Sequence, residues 1–432
     1  MLTLVKFTNK NKDMNLSVKI LLFMGVGIVI GIFLHQFMGN SFIDTYVVNG
    51  AFEVGGKWFV NALKMLMVPL VFVSIVCGVC SLTDPKKLGP MSVKTIGLYL
   101  LTTALALVLA LVLATLVKPG EGMPLKDIEY TVKESVPFIQ VLINLIPSNV
   151  VEAFAEAKML QIIIFSVIFG LAISYSGESG AKIREFFFNL NDVVLEVVNI
   201  IMRFAPYGVL FLIAKTFATF DTRDLLGGLG WYFALVIVAL IMHAMITYSS
   251  LLMFLGKLNP VLFFKGMWPA MITAFGTSSS NATLPVTMRC VQKNLGVHSN
   301  TYSFTLPLGA TINMDGTAIM QGVATLFIAQ AYGHDLTGAQ LAMIVLTATL
   351  ASIGTAGVPG VGLVMLQGVL LQAGLPVEAI GMILGIDRLL DMTRTAVNIS
   401  GDAAVTAIVA KSEGEIDMDV YNDPKIHTEF KV

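Results

Sequence analysis

The chain has 432 residues, 56% of them hydrophobic and only 13% charged, with a mean hydropathy of +0.81. That balance excludes an ordinary soluble domain and indicates a polytopic membrane protein. The formal net charge of −1 says little about partners, and three cysteines give no disulfide framework.

Lys6, Lys10, Lys12 and Lys19 precede the first apolar run, Ile20–Met38, and place the N-terminus in the cytoplasm by the positive-inside rule. The run is long and lacks a small-residue cleavage pattern, so it reads as a retained helix and not a signal peptide. Apolar segments at 17–38, 56–82, 95–117, 160–176, 192–217 and 228–255 can each cross about 30 Å of hydrocarbon. Pro69 is expected to kink the second. Cys77 and Cys80 have redox spacing but lie in an apolar helix, where they read as small packing residues. Tyr99, Thr102 and Thr103 lie in the third, where hydroxyls by default bond back to their own helix. Residues 119–158 carry Pro119, Pro124, Pro137 and Pro147 and read as a loop with short interfacial helices.

From 258 onward small and polar residues interrupt the apolar segments. The first interruption is Gly276–Pro285, with three consecutive serines, and about 35 residues later comes Asn313-Met314-Asp315-Gly316-Thr317. The second, Ser352–Gly360, is followed at a similar distance by a helix carrying Asp387, Asp391, Arg394, Thr395, Asn398 and Asp402. The C-terminal half therefore reads as two copies of one unit, a re-entrant hairpin with a Gly/Ser tip and then a polar spanning helix. Two broken segments in corresponding positions point to a transporter's substrate site.

The steps from Asp387 to Asp391, Arg394, Asn398 and Asp402 are four, three, four and four, so the five share one helix face. Ionisable groups at bilayer depth face protein or a water-filled cavity. A carboxylate can hold an ammonium, and a guanidinium can hold a second carboxylate bidentately, so Asp391 and Arg394 suit an acidic zwitterion. Gly316 frees backbone carbonyls beside the oxygens of Asn313 and Asp315, which suits a hard cation such as Na⁺. The Gly/Ser tips expose N–H groups that favour a substrate carboxylate. The five histidines are scattered and make no metal-ligand pattern, and the tail from Glu413 reads as a solvated, mobile end.

These motifs, above all Ser278–Pro285, Asn313–Thr317, Ser352–Gly360 and Asp387–Asp402, resemble those of the sodium-coupled glutamate/aspartate transporters, the dicarboxylate/amino acid:cation symporters, over residues 15–411. The resemblance implies an all-α polytopic membrane protein: eight transmembrane helices plus two re-entrant helical hairpins with inverted repeats, working as an elevator. It implies a non-enzymatic symporter in the cell (inner) membrane, a homotrimer in the lipid bilayer with no nucleic-acid partner, carrying L-aspartate or L-glutamate with Na⁺ at three sites and without an organic cofactor. Residues 1–15 would be a cytoplasmic segment, 16–90 and 119–225 the static scaffold, 91–118 and 226–411 the moving transport domain, and 412–432 a polar tail. The second hairpin would be the gate.

The resemblance further assigns the substrate's side-chain carboxylate to Arg394 and its amino group to Asp391. Thr317, Asn398, Thr395, Ser280 and the backbone at Val358 and Gly362 would supply the other contacts. One sodium site would use Tyr99, Thr102, Thr103, Asn313 and Asp315. A second would use Gly309, Asn313, Asn398 and Asp402. A third would use the carbonyls of Thr311, Ser352, Ile353 and Thr355 with the Met314 sulfur, a soft ligand for a hard cation. Ser278 and Met392 stand where relatives place an additional arginine, Asn281 stands where serine is usual, and Gln321 stands where animal relatives have a proton-carrying glutamate. The last argues for a prokaryotic type. A proton-coupled glutamate or C4-dicarboxylate symporter of the same fold is the alternative; the C4-dicarboxylate branch lacks counterparts of Asp391 and Asp402.

Overall fold

The computed structural model describes residues 16–82, 89–123, 143, 146–219, 222–352, 355 and 357–423. Among these the chain forms helices and no strand beyond one β-bridge, Val297 to Ile416. The expected 1–15 segment and the last residues of the tail lie outside the described residues, as do Pro124 and Pro137.

Helix α1 (Leu16–His35) lies along α7 (Ala205–Thr219). Gly27 and Gly31, four residues apart, let the two backbones approach, as small residues do between membrane helices. A Cβ on Gly31 would stand 2.6 Å from Phe217 Cβ and 2.7 Å from the Ala214 carbonyl. Helix α2 (Glu53–Leu82) is entered through a π-helical stretch, Ile43–Phe52, and runs through Pro69 without a break. Cys77 and Cys80 are buried, their thiols directed at the carbonyls of Phe187 (3.3 Å) and Gly170 (3.5 Å). They pack α2 against α5 (Met159–Tyr175) and α6 (Gly177–Arg203). Between α3 (Gly89–Val117) and α5, the short α4 (Val150–Ala155) is capped by the Asn149 side chain.

The apolar segment 192–217 is not one straight helix. It divides at Phe204 into α6 and α7, bent by 49°. Helix α6 is amphipathic, with Lys182, Arg184, Glu185, Asp192 and Glu196 along it, and Pro206 sits at the start of α7, where its missing N–H is harmless. Helix α8 (Thr222–Met242) continues through π-helical turns at His243–Tyr248 and Leu252–Gly256.

Two helical hairpins follow. The first joins α9 (Pro260–Thr277) to α10 (Ser280–Lys293), turning at Ser278, whose φ of 52° is in the left-handed region. The second joins α13 (Gly338–Ser352) to α14 (Val361–Ala373). Helices α11 (Ser299–Ile312) and α12 (Asp315–Ala331) meet at the interruption Asn313–Met314, and α15 (Ile380–Glu413) closes the second unit. Almost all of α12 and most of α15 are buried. Three helical stretches among the described residues, Ile43–Cys80, Met91–Val117 and Gly227–Gly256, are long and apolar enough to cross a membrane, and α6–α7 together make a fourth.

The tail after Glu413 is not wholly a solvated end. His298 N–H donates to the Glu415 carbonyl (2.9 Å), Asp417 N–H donates to the Gly296 carbonyl (2.8 Å), and the buried Tyr421 of α16 (Met418–Asn422) donates to the Asn259 carbonyl (2.9 Å). One buried aromatic ring suffices to dock a short segment against the foot of α9.

Gly31→Val should force α1 from α7. Overpacking of this kind costs about 1–3 kcal/mol, so the melting temperature in detergent should fall by several degrees; an unchanged value would show that the contact is not tight.

Candidate functional site

The polar face of α15 is the centre of the site. Asp387, Asp391, Arg394, Thr395, Asn398 and Asp402 are all buried, as their helical spacing requires. Arg394 is 1% exposed and is held by two carboxylates. Its Nη1 donates to Asp387 Oδ1 at 2.7 Å, and its Nη2 donates to Asp391 Oδ1 at 2.8 Å. Charge-assisted bonds of this length are the strong kind. Breaking a buried pair by removing one partner costs about 3–5 kcal/mol, because the other charge is left uncompensated.

The hairpin tips converge on this face. Ser279 Oγ donates to the Gly357 carbonyl at 2.6 Å, and Asn281 N–H donates to the same oxygen at 3.2 Å. A Cβ on Gly357 would stand 3.0 Å from Ser280 Cβ, so Ser280 lies where the tips meet. Gly360 N–H donates to Asp391 Oδ2 at 3.3 Å. Gly360 has φ +84° and opens α14, a turn that favours glycine. A Cβ on Gly362 would lie 3.1 Å from Thr317 Cγ2 and 3.5 Å from Arg394 Nη2. Thr317, Gly362, Arg394, Asp391 and Ser280 thus border one region. Val358 is half-buried at the second tip, and Thr395 Oγ1 bonds back to the Asp391 carbonyl at 2.8 Å.

The expected cation groups lie one to two turns further along α15. Thr102 Oγ1 donates to Asn313 Oδ1 at 3.0 Å and Thr103 Oγ1 to Asp315 Oδ1 at 2.7 Å. These hydroxyls reach across to the α11–α12 interruption, where back-bonding alone is the default. Tyr99 OH donates to the Thr305 carbonyl at 2.9 Å. Asn313 Nδ2 donates to Asp402 Oδ1 at 3.1 Å, and a Cβ on Gly309 would fall 2.6 Å from the same oxygen and 2.7 Å from Tyr99 OH. Only backbone without a side chain fits between α11 and these groups. Asn398 bridges the break: its Oδ1 accepts Gly316 N–H at 2.7 Å, and its Nδ2 lies 3.3 Å from Met314 Sδ.

Asp315 and Asp402 are both fully buried, and no Lys or Arg pairs with either among the described residues. Buried carboxylates among hydroxyl, amide and carbonyl oxygens make a donor set fit for a hard monovalent cation. Of the third expected set, the Ser352 carbonyl accepts Thr355 N–H at 3.2 Å, while the hydroxyls stay local. Thr311, Ser352 and Thr355 each bond within their own turn, to Leu308, Thr349 and Ala351. Ile353 lies outside the described residues.

Two groups escape a reading based on the 3.6-residue period, and a third was legible but passed over. Tyr248 OH donates to Asp315 Oδ2 at 2.8 Å, and His243 Nε2 lies 3.3 Å from the same oxygen. The π-helical turn brings these rings, five residues apart, to 4.7 Å and edge-to-face. Arg388 is buried one turn before Asp391 and donates to its Oδ2 at 3.3 Å. Its signal was available in the sequence: a second arginine inside an apolar span, three residues from an acid. Asp387, read only as part of the polar face, is the partner that orients Arg394.

The pattern that defines the sodium:dicarboxylate symporter family matches residues 16–412. The chain is 34% identical over 446 residues to excitatory amino acid transporter 1 of Ambystoma tigrinum, covering 90% of this chain and 82% of that protein. It is 35% identical over 460 residues to excitatory amino acid transporter 3 of Mus musculus, covering 94% and 87%. It is 34% identical over 411 residues to the proton/sodium-glutamate symport protein of Geobacillus stearothermophilus, covering 93% and 94%.

Asp402→Asn tests the cation groups. If Na⁺ stabilises the wild type against heat by binding beside Asp402, a tenfold weaker site removes about 1.4 kcal/mol of that stabilisation at saturating salt. The Na⁺-dependent rise in melting temperature should shrink in the variant; an equal rise would exclude Asp402.

Proposed function

The chain belongs to the sodium:dicarboxylate symporter family, and on that premise we propose that it carries L-aspartate or L-glutamate into the cell with several Na⁺ ions. The observation that carries this reading is the Asp391–Arg394 pair, buried and bordered by Thr317 and Gly362. An acidic amino acid needs an anion for its ammonium and a cation for its side-chain carboxylate, and the pair offers both within one turn. Its α-carboxylate would meet the polar tips at Ser280 and Val358. A neutral amino acid would bring no side-chain carboxylate for Arg394 to hold, and a dicarboxylate without an amino group would leave Asp391 unused.

In this reading Na⁺ is cargo, held at up to three sites by Tyr99, Thr102, Thr103, Asn313 and Asp315, by Gly309, Asn313, Asn398 and Asp402, and by Thr311, Ser352, Ile353, Thr355 and Met314. Coupling follows from charge and geometry. A cation beside Asp315 or Asp402 offsets a buried negative charge and orders the Asn313–Met314 break, and Asn398 passes that order to the substrate's side of α15.

Eight spans, two re-entrant hairpins, a trimer and an elevator movement complete the proposal. The scaffold would be α1, α2 and α5–α7, and the transport domain α3 and α8–α15. The boundary is mostly apolar: a Cβ on Gly360 would meet Met202 Cε at 2.7 Å, and one on Gly381 would meet Leu212 Cδ2 at 3.2 Å. Apolar surfaces slide without breaking directional bonds. The Lys64–Glu378 ion pair, at 2.6 Å, crosses the boundary and would have to part. A proton-coupled symporter of the same fold is the second reading, favoured by His243 beside Asp315.

Radiolabelled aspartate uptake into liposomes separates the two. Uptake driven by an inward Na⁺ gradient alone is the expected result; uptake driven only by H⁺ would support the second reading. Arg394→Thr should weaken acidic substrates by a factor of about 30 or more, since truncating one partner of a buried charge pair costs about 2–5 kcal/mol. Unchanged competition by aspartate in this variant would sink the assignment of Arg394.

A further inference from the structure

Arg388 is a second guanidinium at the site, and none of the substrate contacts above uses it. It shares Asp391 with Arg394. Asp391 Oδ1 accepts from Arg394 at 2.8 Å, whereas Oδ2 accepts from Arg388 Nη1 and from Gly360 N–H, both at 3.3 Å. The Arg388 bond is the longer of the two guanidinium bonds and therefore the more readily exchanged. Arg388 also borders a cavity of about 20 Å³ shared with Ile20, Phe59 and Met202 of the proposed scaffold. It therefore lies at the apolar boundary between the two parts and at the carboxylate that would receive the substrate's amino group.

As it stands, the cluster is neutral, with Asp387 and Asp391 balancing Arg388 and Arg394. An ammonium arriving at Asp391 would come within a few ångströms of the Arg388 guanidinium, and like charges that close in a buried pocket repel strongly. We propose that Arg388 is an internal counter-cation: it neutralises Asp391 while no substrate ammonium is bound, and it gives up that carboxylate when the ammonium arrives. This rests on the acidic amino acid reading and deepens it. Arg388 acts through Asp391 and is a positioning residue. Two consequences follow from competition for one carboxylate. The chain's own cation lowers substrate affinity, and the Asp387–Asp391–Arg388–Arg394 cluster stays neutral when the transport domain crosses without substrate, with no counter-transported inorganic cation needed there.

Arg388→Met and Arg388→Lys test this in proteoliposomes. Net Na⁺-driven aspartate uptake into empty vesicles is compared with exchange into vesicles preloaded with Na⁺ and unlabelled aspartate, and aspartate affinity is measured by binding. In Arg388→Met, aspartate should bind about tenfold tighter, and the ratio of net uptake to exchange should fall about tenfold, as expected for removing a competing buried charge. Arg388→Lys should restore both towards wild type. Wild-type affinity together with a wild-type ratio in Arg388→Met, or a lysine variant indistinguishable from the methionine variant, would overturn the proposal. If Arg388→Met does not fold, Arg388→Gln carries the same comparison. A wild-type protein without Na⁺-driven uptake of acidic amino acids would instead overturn the underlying reading of the site.

Discussion

The burial of Arg394 is the constraint on which the rest of the site depends. A guanidinium cannot shed its charge, so at 1% exposure it must be surrounded by anions. Asp387 and Asp391 meet that demand from two turns and one turn away on the same helix. Three charges on one helix face cannot meet lipid, and this explains why α15 is enclosed along most of its length by α3, α8, α9, α11, α12 and the second hairpin. The apolar residues that flank the polar face pack against those helices. The charged face and the enclosing bundle are therefore one design.

Interrupted backbone is the second requirement. Helix ends at Ser278, at Asn313–Met314 and at Gly360 leave peptide groups without intrahelical partners. Buried groups of this kind need partners, and the structure supplies them locally: Gly357 carbonyl to Ser279 and Asn281, Gly316 N–H to Asn398, Gly360 N–H to Asp391. The same groups that satisfy the broken helices border the site. In the proposed reading, occupancy of the site and order in the tips would be linked through these shared hydrogen bonds.

Glycine serves two opposite ends here. At Gly27 and Gly31 it brings α1 and α7 into close contact. At Gly309 and Gly401 it leaves room for polar side chains: a Cβ on Gly401 would stand 2.5 Å from Tyr248 OH and 2.6 Å from Asn313 Nδ2. The first use is mechanical and the second is chemical, and composition alone does not tell them apart.

Residues spaced at three and four along α15 could be read from the sequence as one charged face, because a regular helix fixes which side chains are neighbours. The two polar interruptions and their repetition were legible for the same reason: small and polar residues stand out in an apolar chain. The sequence by itself thus determined a helical membrane protein, a buried acid–arginine face on the last long helix and two broken units that converge on it. The tertiary structure decided what local periodicity cannot carry. It divided 192–217 at Phe204, placed Tyr248 and His243 on Asp315 through a π-helical turn, and docked Tyr421 against α9. Each of these depends on contacts between distant segments or on a departure from 3.6 residues per turn, and neither leaves a periodic trace in the chain.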